Sequence, residues 1–147
     1  MDPEELMRKV IAGFQKSDLE PLLDALHDDV VWKSASKQPG MFRFGGNYQT
    51  KLGVIEALSQ VTMDYTVHHM WPKEITTSGD VVWGLFDVEM AYDPMDPDLV
   101  TTSTSGQEKM IALEIAIRWR LKDGKIIEHQ TFFDTASLLS QGHPAGD

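Results

Sequence analysis

The second half of the chain sets the strongest limit on the fold. "DYTVHHMWPKEITTSGDVVWGLFDVEMAY" (64–92) is two long strand-like segments meeting at Ser78-Gly79-Asp80, and "QEKMIALEIAIRWRLKDGKIIEHQTFFD" (107–134) is two more meeting at Asp123-Gly124. Gly and Asp supply the positive φ of a tight hairpin turn. Segments of roughly 10–14 residues, longer than an ordinary strand, make an antiparallel meander that twists and curls strongly. The stretch between the hairpins, "DPMDPDLVTTSTSG" (93–106), is polar, carries Pro94 and Pro97, and reads as a loop.

The first half is mostly helical. Over residues 3–16, Leu6, Val10 and Phe14 recur at steps of four with Met7 and Ile11 beside them, an amphipathic helix. Pro3 suits its first turn, and Glu4 and Glu5 its positive end. "KSDLEPLLDALHDD" (16–29) predicts a shorter helix capped by Ser17 or Asp18, with Pro21 near enough to its start to be tolerated. Alternation from Val30 to Ser34 predicts a strand, and residues 35–49, with Pro39, Gly40, Gly45 and Gly46, read as loop. A helix is expected over 50–61, capped by Thr50, with Leu52, Ile55, Leu58 and Val61 on its buried face. "TASLLSQ" (135–141) predicts a short closing helix, and 142–147 a frayed tail. Helices first and strands last mark an α+β domain, 1–141. Three helices cover one sheet face only, so the other meets solvent or another subunit.

Charge and composition remove several function classes. A net charge of −10 argues against sequence-independent nucleic-acid binding and against anionic membrane surfaces. No apolar run is long enough to span a bilayer. The acidic start "MDPEELMRKV" lacks the basic end of a secretory signal, so a cytoplasmic address is expected. With no Cys there is neither disulfide nor thiolate chemistry. Gly45-Gly46 lacks the spacings of phosphate-binding loops, and the histidines lack metal-ligand spacing; no cofactor and no metal are expected.

Candidate site residues follow from the strand faces. On 81–92, Trp83, Leu85, Asp87 and Glu89 share one face, and Phe86, Val88 and Met90 the other. Taking the first as the pocket face makes Asp87 a buried acid; the plainer reading is a solvated strand position. Asp134, after Phe132 and Phe133, is either the cap of the closing helix or a pocket carboxylate whose pKa burial would raise. By strict alternation His69 shares a face with Val67 and Trp71 and enters the pocket; the alternative is a satisfied, partly buried histidine. Trp32, with Val30 and Ser34, and Ile117 and Trp119, with Leu113 and Ile115, are expected to line the pocket. The opposite face of 109–122 carries Ala112, Glu114, Ala116, Arg118 and Arg120. Its mix of small and charged residues reads as a dimer interface or as a solvated outer face.

The layout resembles the nuclear transport factor 2-like superfamily over nearly the whole chain. "DGKIIEH" and "FFDTASLLSQG" resemble the closing segment of SnoaL-like polyketide cyclases and ketosteroid isomerase-related proteins. "FRFGGNYQTKLGVIEAL" is similar to the glycine–aromatic–helix entry of that group. The resemblance implies a cystatin-like α+β roll. Its cone-shaped, curved, antiparallel (mixed) sheet is covered on the concave face by about three N-terminal helices, encloses a pocket, and pairs as a homodimer. Asp134 matches the key acid of the cyclases; a Trp common beside it is Gln130 here. Of the ketosteroid isomerase groups, the base position is Ser34, the second acid Ile117 or Ala116, and the donor Tyr Phe14, which disfavours that reaction. Asp87 and Asp134 match the two acids of limonene epoxide hydrolase-like enzymes and Asn47 and Tyr48 offer the water holders, but the Arg position holds Leu85.

Two functions follow. One is cofactor-free acid–base chemistry of cyclase, isomerase or hydrolase/hydratase type on a small apolar or polycyclic substrate. In it Asp134, Asp87 and His69 act, and Trp32, Asn47, Tyr48, Trp83, Ile117 and Trp119 bind. The other is a non-catalytic ligand-binding or protein-interaction domain of the same fold.

Overall fold

A computed structural model of the chain describes residues 2–34, 46–92, 109–134, 136, 137 and 141. Helix α1 spans Pro3–Gln15; Asp2 caps it by accepting from the Glu4 N–H, and Leu6, Met7, Val10 and Ile11 are buried. Helix α2 is Glu20–Ala25, with Leu19 at the cap position rather than the expected Ser17 or Asp18; Asp18, one residue earlier, accepts at Oδ1 from the Glu20 N–H at 3.1 Å. Strand β1 begins earlier than its alternation suggests, at Leu26, and runs to Ser34. A short strand β2, Gly46–Gln49, lies where sequence reading placed only loop.

Helix α3 is Thr50–Asp64. Its buried face corrects the expected one: Val54 and Ala57 are buried and Leu58 and Val61 pack beside them, while Leu52 is 78% and Ile55 43% exposed. Thr50 is not the cap. It is the first helical residue, follows Gln49 at the cap position, and holds φ 67°, a left-handed conformation that costs a β-branched residue energy.

The hairpins form as the turn residues predict. Strands β3 (Tyr65–Ser78) and β4 (Val81–Tyr92) join at Gly79-Asp80, and β5 (Lys109–Lys122) and β6 (Lys125–Phe132) at Asp123-Gly124. Asp123 and Gly124 both carry positive φ, 54° and 76°. The sheet order is β2-β1-β6-β5-β4-β3. All pairs are antiparallel except β1–β6, which makes the sheet mixed. It is curved but not closed, and β2 and β3 are its edges. Helix α1 lies over β3 and β4, α3 over β1 and β2. Gln15 Nε2 donates to the Met70 carbonyl, tying the end of α1 to the middle of β3.

Between helices and sheet lies a core that includes Met7, Ile11, Leu22, Val30, Phe86 and Trp119. Gly84 permits its closest approach: a Cβ there would fall 2.5 Å from the Phe86 ring and 2.7 Å from Met7 Sδ. Beyond the end of β6, β5 keeps β4 as a strand partner but loses the one on its other side. There Gln141 substitutes for one, its side-chain amide donating to the Ala112 carbonyl and accepting from the Ala112 N–H, both at 2.9 Å. Such a clamp covers an otherwise open strand edge. Among the described residues no helix is long and apolar enough to cross a membrane. Most of the expected closing helix and the tail lie outside the described residues.

Candidate functional site

The concave face of the sheet and helices α1 and α3 line a partly open cavity of about 400 Å³. Its wall is largely apolar: Phe14, Leu58, Val61, Met70, Val88 and Ile115 contribute, with Trp32 and Phe133. Hydroxyls come from Ser17, Ser34, Thr62, Tyr65, Thr66 and Thr131, and an imidazole from His129. Among the described lining residues there is no carboxylate, lysine or arginine.

His129 is the one buried polar side chain of the described core, 3% exposed. Its ring lies flat against Trp32, centroids 3.5 Å apart and planes 5° from parallel. Trp119 Nε1–H donates to His129 Nδ1 at 2.9 Å, and His129 Nε2 meets Thr131 Oγ1 at 2.6 Å. Burial pushes the imidazole pKa down to about 3, so the ring is neutral near pH 7. With both nitrogens engaged and the ring resistant to protonation, His129 is suited to hold an arrangement rather than to shuttle protons.

Several expected site residues lie elsewhere. The inner face of β4 is Phe86, Val88 and Met90, so the pocket face assigned to Trp83 and Asp87 is inverted. Asp87 is an exposed side chain (57%) that pairs with Lys73 at 3.9 Å. Trp83 is 41% exposed and stacks on Phe132 at 5.8 Å, outside the sheet. His69 is turned out by a register shift between Val67 and His69 and stacks on exposed Trp71 at 5.8 Å. Asn47 is exposed on edge strand β2. Tyr48 sits opposite Trp32 and packs on the core. Its hydroxyl pKa is raised, first by burial and then by Glu56.

Trp32 and Ile117 do line the cavity. Trp119 is fully buried behind His129. Asp134 is exposed, and its Oδ1 accepts from the Ser137 N–H at 3.1 Å, the capping geometry. Asp134 and Asp87 nevertheless share a site, an open cleft of about 640 Å³ whose wall also includes Trp71, Glu89, Glu114 and Ser137. At Glu114 of that wall, Lys73 donates to the carboxylate at 2.8 Å. That hydrogen bond first, then the charges of Asp87 and Glu114, raise the lysine pKa. His129 and Thr131 were not singled out from sequence. Their signal was the alternation of His129, Thr131 and Phe133, in phase with an apolar residue.

Residues 7–129 match the SnoaL-like domain family, and the chain belongs to it. No curated protein matches the sequence. Among solved structures, TerC co-crystallised with polyporic acid superposes with a TM-score of 0.72 at 23% identity, covering 94% of this chain and 95% of that one. An NTF2-like protein of Burkholderia thailandensis gives 0.74 at 15% identity, covering 96% and 97%. A protein of Pseudomonas putida described as a polyketide cyclase gives 0.73 at 17%, covering 97% and 98%. At these identities the likeness establishes the fold, a nuclear transport factor 2-like α+β domain.

Proposed function

We propose that this SnoaL-like domain binds a small apolar or polycyclic ring compound in its interior cavity, and that binding rather than acid–base turnover is the work of that cavity. The observation that carries this reading is the wall itself. A volume of about 400 Å³ is lined by aromatic and aliphatic side chains with a few hydroxyls and a neutral His129, the usual composition of a small-molecule site. The TerC structure with polyporic acid and the polyketide cyclase description of the P. putida neighbour are in keeping with it. The test is titration of fluorene and related ring compounds, followed by tryptophan fluorescence and calorimetry. Saturable binding that is lost in Val61→Trp, which fills the cavity from the half-buried wall of α3, supports the reading; binding unchanged in that variant overturns it.

Cofactor-free acid–base chemistry of cyclase, isomerase or hydrolase/hydratase type is the second reading. It is favoured by one observation, the shared cleft of Asp87 and Asp134.

We also propose a second copy of the chain as partner, seated on the outer face of the sheet. Leu85, Ala116 and Phe132 lie in register across β4, β5 and β6, with exposed Trp83 beside them. Acidic Asp87 and Glu114 lie to one side of this row and Arg118 and Arg120 to the other. A two-fold axis through Ala116 sets Glu114 of each copy against Arg118 of the other, so the surface is complementary to itself.

A further inference from the structure

The hydrogen bonds behind the cavity wall run in one direction. An indole N–H only donates, so His129 Nδ1 must be the acceptor of the 2.9 Å contact from Trp119 Nε1. A neutral imidazole then carries its proton on Nε2. That proton points at Thr131 Oγ1, 2.6 Å away, so the hydroxyl oxygen accepts. The hydroxyl's own proton must turn elsewhere. Thr131 lines the cavity, and among the described residues no hydrogen bond claims that proton. The stack of His129 on Trp32 and its burial fix the ring that imposes this order.

We infer that the Trp119–His129–Thr131 chain locks Thr131 as a hydrogen-bond donor into the cavity, and so selects ring ligands that present an acceptor oxygen, such as a ketone or quinone carbonyl. An apolar ring of the same shape leaves the Thr131 proton unanswered. A ligand offering only a donor, such as a protonated amine, meets another donor. Thr131 is the specificity-determining residue and His129 the positioning residue that acts through it. This rests on the cavity-binding reading above and adds polarity to it.

The experiment compares fluorenone with fluorene, which differ by one carbonyl on the same flat ring system. Wild-type protein is expected to bind fluorenone about tenfold more tightly, the size of one hydrogen bond to a buried partner. The infrared carbonyl stretch of bound fluorenone should move to lower frequency. Thr131→Val, nearly the same shape, should abolish both the preference and the shift; Thr131→Ser should keep them. Equal affinity of wild-type protein for the two compounds, or a preference that survives in Thr131→Val, overturns the inference and leaves the cavity reading standing. If neither compound binds, the cavity reading falls and the inference with it. Should Thr131→Val fail to fold, the wild-type carbonyl shift decides: an unshifted band overturns the inference.

Discussion

His129 lies flat on Trp32 because β1 and β6 pair in parallel with these two residues in register. On its other flank, β5 sets Trp119 opposite the same histidine. Three adjacent strands thus bring a stacking partner, an imidazole and an indole donor into one row. The row closes one wall of the cavity and removes the imidazole from water.

That removal makes stability depend on pH. In the unfolded chain the imidazole titrates near its ordinary 6.5; in the folded protein burial holds it down to about 3. Below 6.5 the unfolded chain takes up a proton that the folded one refuses, so stability falls as pH drops from 6.5 towards 3 and is insensitive to this group above 6.5. The slope contributed is up to about 1.4 kcal/mol per pH unit. His129→Gln can still accept from Trp119 and donate to Thr131 but does not titrate. In urea unfolding, the stability difference between wild-type and His129→Gln protein should shift in the variant's favour on acidification below pH about 6. A difference that is constant with pH would contradict the burial argument.

This row also shows what the sequence conceals. The Asp123-Gly124 turn and the alternating strands were legible because short-range chemistry dictates them, and the α+β class followed. Register was not. Lys122 pairs with Lys125 across the turn, and counting back without interruption would set Glu128 opposite Trp119. A shift between Arg120 and Leu121 sets His129 there instead. A similar shift after Val67 turns His69 outwards. Each bulge exchanges the two faces of a strand, and no residue in either stretch announces it. The inverted face of β4 is a different error. Val82, Gly84, Phe86, Val88 and Met90 form a wholly apolar set, and Gly84 makes room for Met7. The weight of Trp83 and the interest of Asp87 favoured the wrong set.

Thr50 is the next place where structure exceeds local rules. It is exposed, β-branched and held at φ 67° at the start of α3. Thr50→Gly should remove the left-handed penalty, about 1 kcal/mol, and the exposed side chain has little packing to forfeit. A rise in urea midpoint at constant slope is the expected result. A loss of stability would mean that the threonine side chain makes up for its backbone.

The proposed pairing of two copies is checked by reversing charges about Ala116. Exposed ion pairs add little affinity, so the apolar row of Leu85, Ala116, Trp83 and Phe132 supplies most of the attachment and the charges set its register. Glu114→Arg alone places like charges opposite each other and should shift the protein towards monomer in sedimentation equilibrium. Arg118→Glu alone should do the same, although it also breaks the 3.2 Å pair with Glu128. The double variant restores opposite charges and should recover the dimer. Wild-type protein that sediments as a monomer at high concentration would refute the proposal.

Asp134 separates the two functional readings most directly. Its carboxylate accepts from the Ser137 N–H and faces the open cleft, away from the cavity behind Phe133. If capping is its whole role, Asn should serve nearly as well and Ala should cost about 1 kcal/mol. Both variants should then bind fluorenone as wild-type protein does, because neither alters the cavity wall. An acid in the cleft behaves otherwise. Asp134→Asn would keep the melting temperature and the cavity affinity and yet lose turnover of a cyclisable, isomerisable or hydratable substrate. Asp87→Asn, on the same cleft, would then show a related loss. Combining thermal melts, fluorenone titration and a turnover screen on the same variants distinguishes a cap from a catalyst at one position.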